Sequence, residues 1–273
     1  MRSPAVSASV SVIVATWNRA GPVIDAIRSA LAQTHPVAEV LVCDDGSTDG
    51  TKEAVLSLRD LRVRFLPGAH AGHAAVPRNH GIAAATGDWL AFLDSDDSWA
   101  PGKIETQLRL ASERRCQAAS SNAIRVVPEH GAVGNYLQCA ASTISFRTLL
   151  RMNLVICSTA IVHRTVLART GGFPEDPRLR VGEDYALWLR VATQTDFAYA
   201  DVPLATYQDD PSHSLRVHSL AEPAQRESIL KDWHDWAAAN PALIQRSQMR
   251  AGRSALRRAM RRNGRGVVER WSL

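Results

Sequence analysis

No run of apolar residues in the chain approaches the about 20 that a membrane-spanning helix requires, so the sequence offers no segment expected to cross a bilayer. Cysteine is scarce. The four present, Cys43, Cys116, Cys139 and Cys157, are far apart and form no Cys-x-x-Cys pair. That spacing argues against a zinc ribbon or a disulfide framework and predicts buried free thiols. Residues 1–9 hold one Arg and no long apolar stretch, which does not read as a secretory leader and leads to the expectation of a cytoplasmic protein. Internal repeats and low-complexity linkers are also missing.

The 273 residues, 45% of them apolar and 22% charged, suffice for a substantial buried core. The formal charge of +5 is unevenly placed: from Leu243 onward there are nine Arg and one acid, a tail of +8 on a body of −3. The tail has neither a nucleic-acid-binding module nor interleaved aromatics, so nucleic acid is not an expected partner. Its Met249, Leu256, Met260 and Val267 recur at spacings of seven, four and seven. This pattern predicts an amphipathic helix, which either turns a cationic face to an anionic membrane or packs on the body with its arginines in solvent.

Short β-branched runs alternate with helical periodicity. Val10 to Ala15 reads as a strand, followed by a helix with Pro22 at its start and Val23, Ile27 and Leu31 along one face. Strands at Glu39 to Cys43, Arg62 to Leu66 and Trp89 to Leu93 follow, with helices between them and another from about Pro101 to Ala111. Further on, strands are expected at Ala123 to Val127 and Val155 to Val162, and helices at Phe146 to Met152 and Asp184 to Ala192. Such alternation predicts an α/β fold with a mostly parallel, Rossmann-like sheet flanked by helices. Ligands of these sheets bind beyond the carboxyl ends of the strands, and the polar clusters fall there: Thr16, Trp17, Asn18 and Arg19; then Asp44 to Ser47; then Asp94, Ser95, Asp96 and Asp97.

Three acids within four positions concentrate negative charge that Mg²⁺ or Mn²⁺ would neutralise, since hard cations take one or two carboxylates together with phosphate oxygens. A solvated, helix-capping turn would need the same residues. Asp44, Gly46 and Ser47 suit a turn, yet a carboxylate at that strand end can also accept from a base imide or a ribose hydroxyl. Arg78 and Asn79 follow Pro77 near a helix start, where a cation can face a diphosphate. Asp184, entered through Gly182-Glu183, is a candidate general base.

In order and spacing, several motifs together resemble the family 2 inverting glycosyltransferases of the glycosyltransferase-A fold. They are Val12 to Arg19, Val42 to Asp49, Arg78-Asn79-His80-Gly81-Ile82 with Thr86-Gly87-Asp88, Phe92 to Asp97, Gly171-Gly172-Phe173 and Gly182-Glu183-Asp184, and they cover about residues 10–207. The resemblance implies a single catalytic domain over residues 1–215, with a nucleotide-sugar half over about 10–105 and an acceptor half over about 106–215. A basic helical extension over 216–273 follows it. It implies a nucleotide-diphosphate sugar as donor, a UDP-sugar being favoured, and a glycan, a lipid-linked molecule or a small molecule as acceptor. Asp44 would bind the nucleobase beside Thr16, Asn18 and Arg19. Asp94, near the ribose, and Asp96 would be the Asp-x-Asp pair on Mn²⁺ or Mg²⁺; Arg78 would face the diphosphate and Asp184 would be the base. His213 sits where some relatives place a further metal contact. Ala15 and Trp17 stand where the family commonly has Pro and Tyr, and Trp17 can still stack on a base. The processive members' Gln-x-x-Arg-Trp motif is missing, which implies transfer of one sugar. If the basic tail turns its cationic face to an anionic membrane instead of packing on the body, it would bring the protein to that membrane's inner face. Two other readings compete: a non-catalytic sugar-nucleotide or glycan-binding module, and a haloacid dehalogenase-type phosphatase using Asp94-x-Asp96.

Overall fold

The computed structural model describes residues 8–210 and 222–263. The chain opens with β1 (Val10–Thr16) and α1 (Pro22–Leu31), whose proline occupies the first turn and whose Val23, Ala26, Ile27 and Ala30 are buried. Next come β2 (Glu39–Asp44), α2 (Thr51–Ser57), β3 (Val63–Leu66), α3 (Ala75–Ala84) and β4 (Trp89–Asp94). Every residue of β2 is buried, as expected of a parallel strand covered by helices on both faces.

The second half contains β5 (Ser98–Trp99), α4 (Lys103–Glu113), β6 (Ala118–Val127), β7 (Gly131–Asn135), β8 (Thr143–Ile144), α5 (Phe146–Leu149) and β9 (Ile161–His163). It continues through α6 (Arg164–Thr170), α7 (Glu183–Ala192), β10 (Phe197–Gln208), α8 (Glu222–Ala239) and α9 (Arg246–Asn263). Among the described residues all strands join one sheet of order β3-β2-β1-β4-β9-β6-β10-β5, with β7 on β6 and β8 on β10. The first four strands of the sheet order, β3, β2, β1 and β4, are parallel, as the alternating pattern predicts. Antiparallel pairs enter with β9, which lies between β4 and β6, while β6 and β10 are parallel.

Two expected elements are shorter than the periodicity suggests. The helix from Phe146 stops at Leu149. The expected strand Val155 to Val162 is a strand only over Ile161–His163, preceded by a 3₁₀ turn at Cys157–Thr159. The cause is tertiary: Ser158 Oγ accepts from the Asp94 N–H and donates to the Asp97 carboxylate, while the Thr159 carbonyl accepts from Gln107. These bonds pull the backbone out of the ladder and beneath the acidic loop. All four cysteines are unpaired, Cys43 and Cys157 buried and the other two half-buried.

Two of the sequence motifs hold the scaffold together. Buried Glu39 accepts from the Thr86 N–H, the Thr86 hydroxyl, the Ser11 hydroxyl and Arg64, and Ser11 Oγ in turn accepts from the Gly87 N–H. Burial alone would raise this carboxyl; the hydrogen bonds from Thr86, Ser11 and Arg64 hold it below the ordinary carboxylate range. The Asn79 amide both donates to the Phe173 carbonyl and accepts from the Phe173 N–H, which ties α3 to the Gly171-Gly172-Phe173 turn.

The basic tail is a helix; Met249 and Leu256 of the expected stripe are half-buried against the core, and small residues carry the closest contact. Gly252, Ala255 and Ala259 are buried, whereas Met260 is 53% exposed; Val267 lies outside the described residues, as does the expected 215/216 boundary. Gly252 allows this close approach, because a Cβ there would stand 1.9 Å from Cζ3 of Trp233, a fully buried ring of α8. Gly252→Ala should therefore destabilise the protein by about 1–3 kcal/mol through overpacking, measured as a fall of several degrees in Tm. An unchanged Tm would mean that α9 is not seated as described.

Candidate active site

The strand register brings the acids to one edge. Thr16 of β1 pairs with Asp44 of β2, and Ala15 pairs with Asp94 of β4, so three loops leave the sheet at one level. The first two loops are stitched together. The Asn18 N–H donates to Ser47 Oγ, the Thr48 N–H to Asn18 Oδ1, and the Arg19 N–H to Thr51 Oγ1.

Asp44 is buried and accepts the N–H groups of Gly46 and Ser47 on Oδ2. Its Oδ1 is buried without a hydrogen-bond partner, and so is Thr16 Oγ1 on the neighbouring strand. A buried lone pair without a donor costs free energy unless a ligand supplies one. Gly46, at φ +77°, brings its backbone so close that a Cβ would lie 2.8 Å from the His70 nitrogen. Asp45 accepts the N–H groups of Ala71 and Gly72, and the half-exposed Trp17 ring stacks on His70 at 4.5 Å.

The acidic loop divides its labour. Asp97 is buried; its carboxylate accepts from the Ser158 hydroxyl and the Gln208 N–H, which anchors the loop to β10. Burial, followed by the charges of Asp94 and Asp96, pushes Asp97 well above the usual range. Asp94 Oδ1 receives Arg78 Nη2 at 2.5 Å. Asp96 is held more loosely, with Arg19 Nη2 at 3.3 Å, and burial together with the Asp94 charge raises its pKa. Ser95 is buried within the turn. Among the described residues, no group of three or more His, Cys, Asp or Glu has an arrangement that could hold a metal ion. The crowded, mutually repelling Asp94 and Asp96 do fit the demand of a hard divalent cation for one or two carboxylates supplemented by phosphate oxygens.

Arg78 sits in the fourth position of α3, 6% exposed, and is not at the open helix start that Pro77 suggests. Its guanidinium bridges Asp94 and Glu183, the latter through Nη1 to Oε1 at 2.5 Å. Glu183 is the residue the sequence reading undervalued: its adjacency to Asp184 was visible, but the partner 105 residues away was not. Asp184, the second residue of α7, is half-buried, one oxygen accepting the Tyr185 N–H. Burial, then the neighbouring Glu183 charge, raises its carboxyl to about 7 against the opposing pull of Arg78. Cys157, the buried free thiol its spacing predicts, lies beside this cluster, and burial pushes its thiol well up. The contacts run unbroken from Asp44 through Ser47, Asn18 and Arg19 to Asp96, and from Asp94 through Arg78 to Glu183 beside Asp184. His213 lies outside the described residues.

A helix-flanked sheet with this order, with acids at the ends of β2 and β4, has the glycosyltransferase-A type of fold. The sequence profile described as "Glycosyl transferase family 2" matches residues 11–169, more than half of the chain, and the chain belongs to that family. It is 34% identical over 182 residues to the Escherichia coli UDP-Glc:alpha-D-GlcNAc-diphosphoundecaprenol beta-1,3-glucosyltransferase WfgD, covering 67% of this chain and 69% of that protein. To the Escherichia coli enzyme of the same description named WfaP it is 29% identical over 222 residues, 81% of this chain and 85% of that protein. The fold matches that of S. aureus TarS 1-349 in complex with UDP-GlcNAc, with a TM-score of 0.71 at 18% identity over 94% of this chain and 73% of that one. Family membership makes the protein a glycosyltransferase and removes the phosphatase and non-catalytic readings. No described helix is long and apolar enough to cross a membrane.

Proposed function

We propose that the protein transfers a single sugar from a UDP-sugar to a hydroxyl of a lipid-linked glycan acceptor, with inversion at the anomeric carbon. The observation that carries this reading is the continuous edge from the unpartnered Asp44 Oδ1 to Asp184. One end offers a lone pair suited to a base N–H; the other offers a carboxylate poised near neutrality. The printed activities of the WfaP and WfgD relatives and the UDP-GlcNAc bound to TarS support the donor and acceptor classes.

In this reading Asp44 Oδ1 and Thr16 Oγ1 meet the uracil, and the linked loops of Asn18, Arg19, Gly46 and Ser47 shape the nucleoside pocket. Trp17 borders it. Asp94 lies near the ribose, fixed by Arg78. Mn²⁺ or Mg²⁺ would be held by Asp96 with Asp94, and such a cation supplies positive charge for the leaving diphosphate. Asp184 takes the proton of the attacking hydroxyl, and no covalent sugar intermediate forms. The basic C-terminal helix is the part of the chain suited to peripheral contact with an anionic membrane.

A thermal-shift panel of nucleoside diphosphates with and without Mn²⁺ tests the donor reading, since a ligand of the native state alone raises its apparent stability. UDP with Mn²⁺ should raise Tm, and the metal-dependent part should vanish in Asp96→Asn. Stabilisation by every nucleotide alike, or none at all, would end the assignment. Proton NMR of the product's anomeric centre tests inversion.

A further inference from the structure

The start of α4 buries an amine that the transfer chemistry leaves unused. Lys103 is fully buried, and among the described residues no carboxylate pairs with it; burial holds its pKa well below the usual lysine range. Its Nζ donates to Gln107 Oε1 at 2.9 Å and stands 4.0 Å over the Trp99 ring. An amine in such a place costs stability relative to an apolar side chain of similar length. Its two neighbours show what that cost supports.

Both neighbours end on one turn. Gln107 Nε2 donates to the Thr159 carbonyl at 2.7 Å, and Trp99 Nε1 donates to the Ser158 carbonyl at 2.6 Å. Lys103 fixes the direction of the Gln107 amide: with Nζ against Oε1, Nε2 is left to face the turn. The Ser158 hydroxyl accepts the Asp94 N–H and donates to Asp97, the two ends of the acidic loop. The helix start is itself fixed, because Gln33 of α1 accepts the Ile104 N–H and donates to the Ala100 carbonyl. An unbroken set of contacts thus runs from the buried start of α4 to the backbone of Asp94.

Resting on the glycosyltransferase reading above, we propose that Lys103 is a positioning residue for donor binding: through Gln107 and Trp99 it sets the Ser158-Thr159 turn, and with it the placing of Asp94 and Asp96 toward the cation and diphosphate of the donor. Lys103 touches neither.

Lys103→Met separates this role from a purely structural one, because the two predict opposite signs. Methionine keeps a stem of similar length and removes the donor, so the full chain should unfold in urea at the same concentration as wild type or a higher one. The Mn²⁺ concentration that half-saturates UDP binding in isothermal titration should nonetheless rise about tenfold or more, the effect of losing a group that orients metal ligands. UDP affinity in EDTA should not change. In turnover, KM for the donor should rise at low Mn²⁺ while kcat recovers at saturating Mn²⁺. Gln107→Glu gives an independent reading: it keeps Lys103 paired yet sets a carboxylate oxygen against the Thr159 carbonyl, and should shift the Mn²⁺ requirement in the same direction. A wild-type Mn²⁺ requirement in either folded variant overturns the proposal. So does early unfolding of Lys103→Met together with weakened UDP binding in EDTA, which marks a structural role alone. Absence of UDP binding, or of any Mn²⁺ dependence, in the wild type sinks the functional reading instead.

Discussion

Asp184→Asn is expected to lower kcat by about 10²–10⁴-fold, the range for removal of a general base, while UDP affinity changes little. The amide keeps the size of the side chain and can still accept the Tyr185 N–H, so the loss isolates the missing proton acceptor. In the wild type, kcat/KM should fall with unit slope below pH about 7, because the raised carboxyl is protonated there and cannot take the hydroxyl proton. Stability should move the opposite way. Between the ordinary carboxylate range and about 7 the folded protein holds a proton that the unfolded chain has released, so this group's contribution declines as pH rises through that window. Asp184→Asn should accordingly melt higher than wild type at pH 8, with the difference shrinking toward pH 4. Substantial turnover in the variant, or a flat pH profile, removes Asp184 from the base role.

Loss of Arg78 should have the largest effect on folding. Arg78→Leu strands the Asp94 and Glu183 carboxylates, of which Glu183 is only 7% exposed, and breaking one side of such a buried arrangement costs about 3–5 kcal/mol. The double variant Arg78→Leu/Glu183→Leu should recover part of that loss in urea unfolding, since it removes one of the two stranded charges. Arg78→Lys should fall between wild type and Arg78→Leu, because a single ammonium cannot reproduce the fork that reaches both acids. If the double variant is no more stable than Arg78→Leu, the stranded charge is not the cause.

Hydrophobic periodicity made the first half legible. Val10, Val12 and Val14, the Val23-Ile27-Leu31 face and the acids after β1, β2 and β4 are local signals, and parallel strands joined by helices convert them into one edge with little freedom of arrangement. The motifs that join the two halves were equally visible, but their purposes were not. Asn79 beside Arg78 looks like a second polar ligand, yet it spans 94 residues to pin the backbone of Phe173. Arg78 itself looks like a phosphate contact at a helix start, and only the fold brings Glu183 and Asp94 to opposite sides of its guanidinium.

The parallel first half, the chain's family and the edge that gathers the acids of β2 and β4 were decided locally, by side-chain period and by residue types at strand ends. Tertiary structure alone decided which acid is anchored, which is paired and which is left near neutrality. Asp97, Asp94 and Asp184 differ little as letters, and their states follow from burial and from partners far away in sequence. The same holds for the tail: its arginines were countable, but the seam of Gly252, Ala255 and Ala259 on Trp233 arises only when separate helices meet.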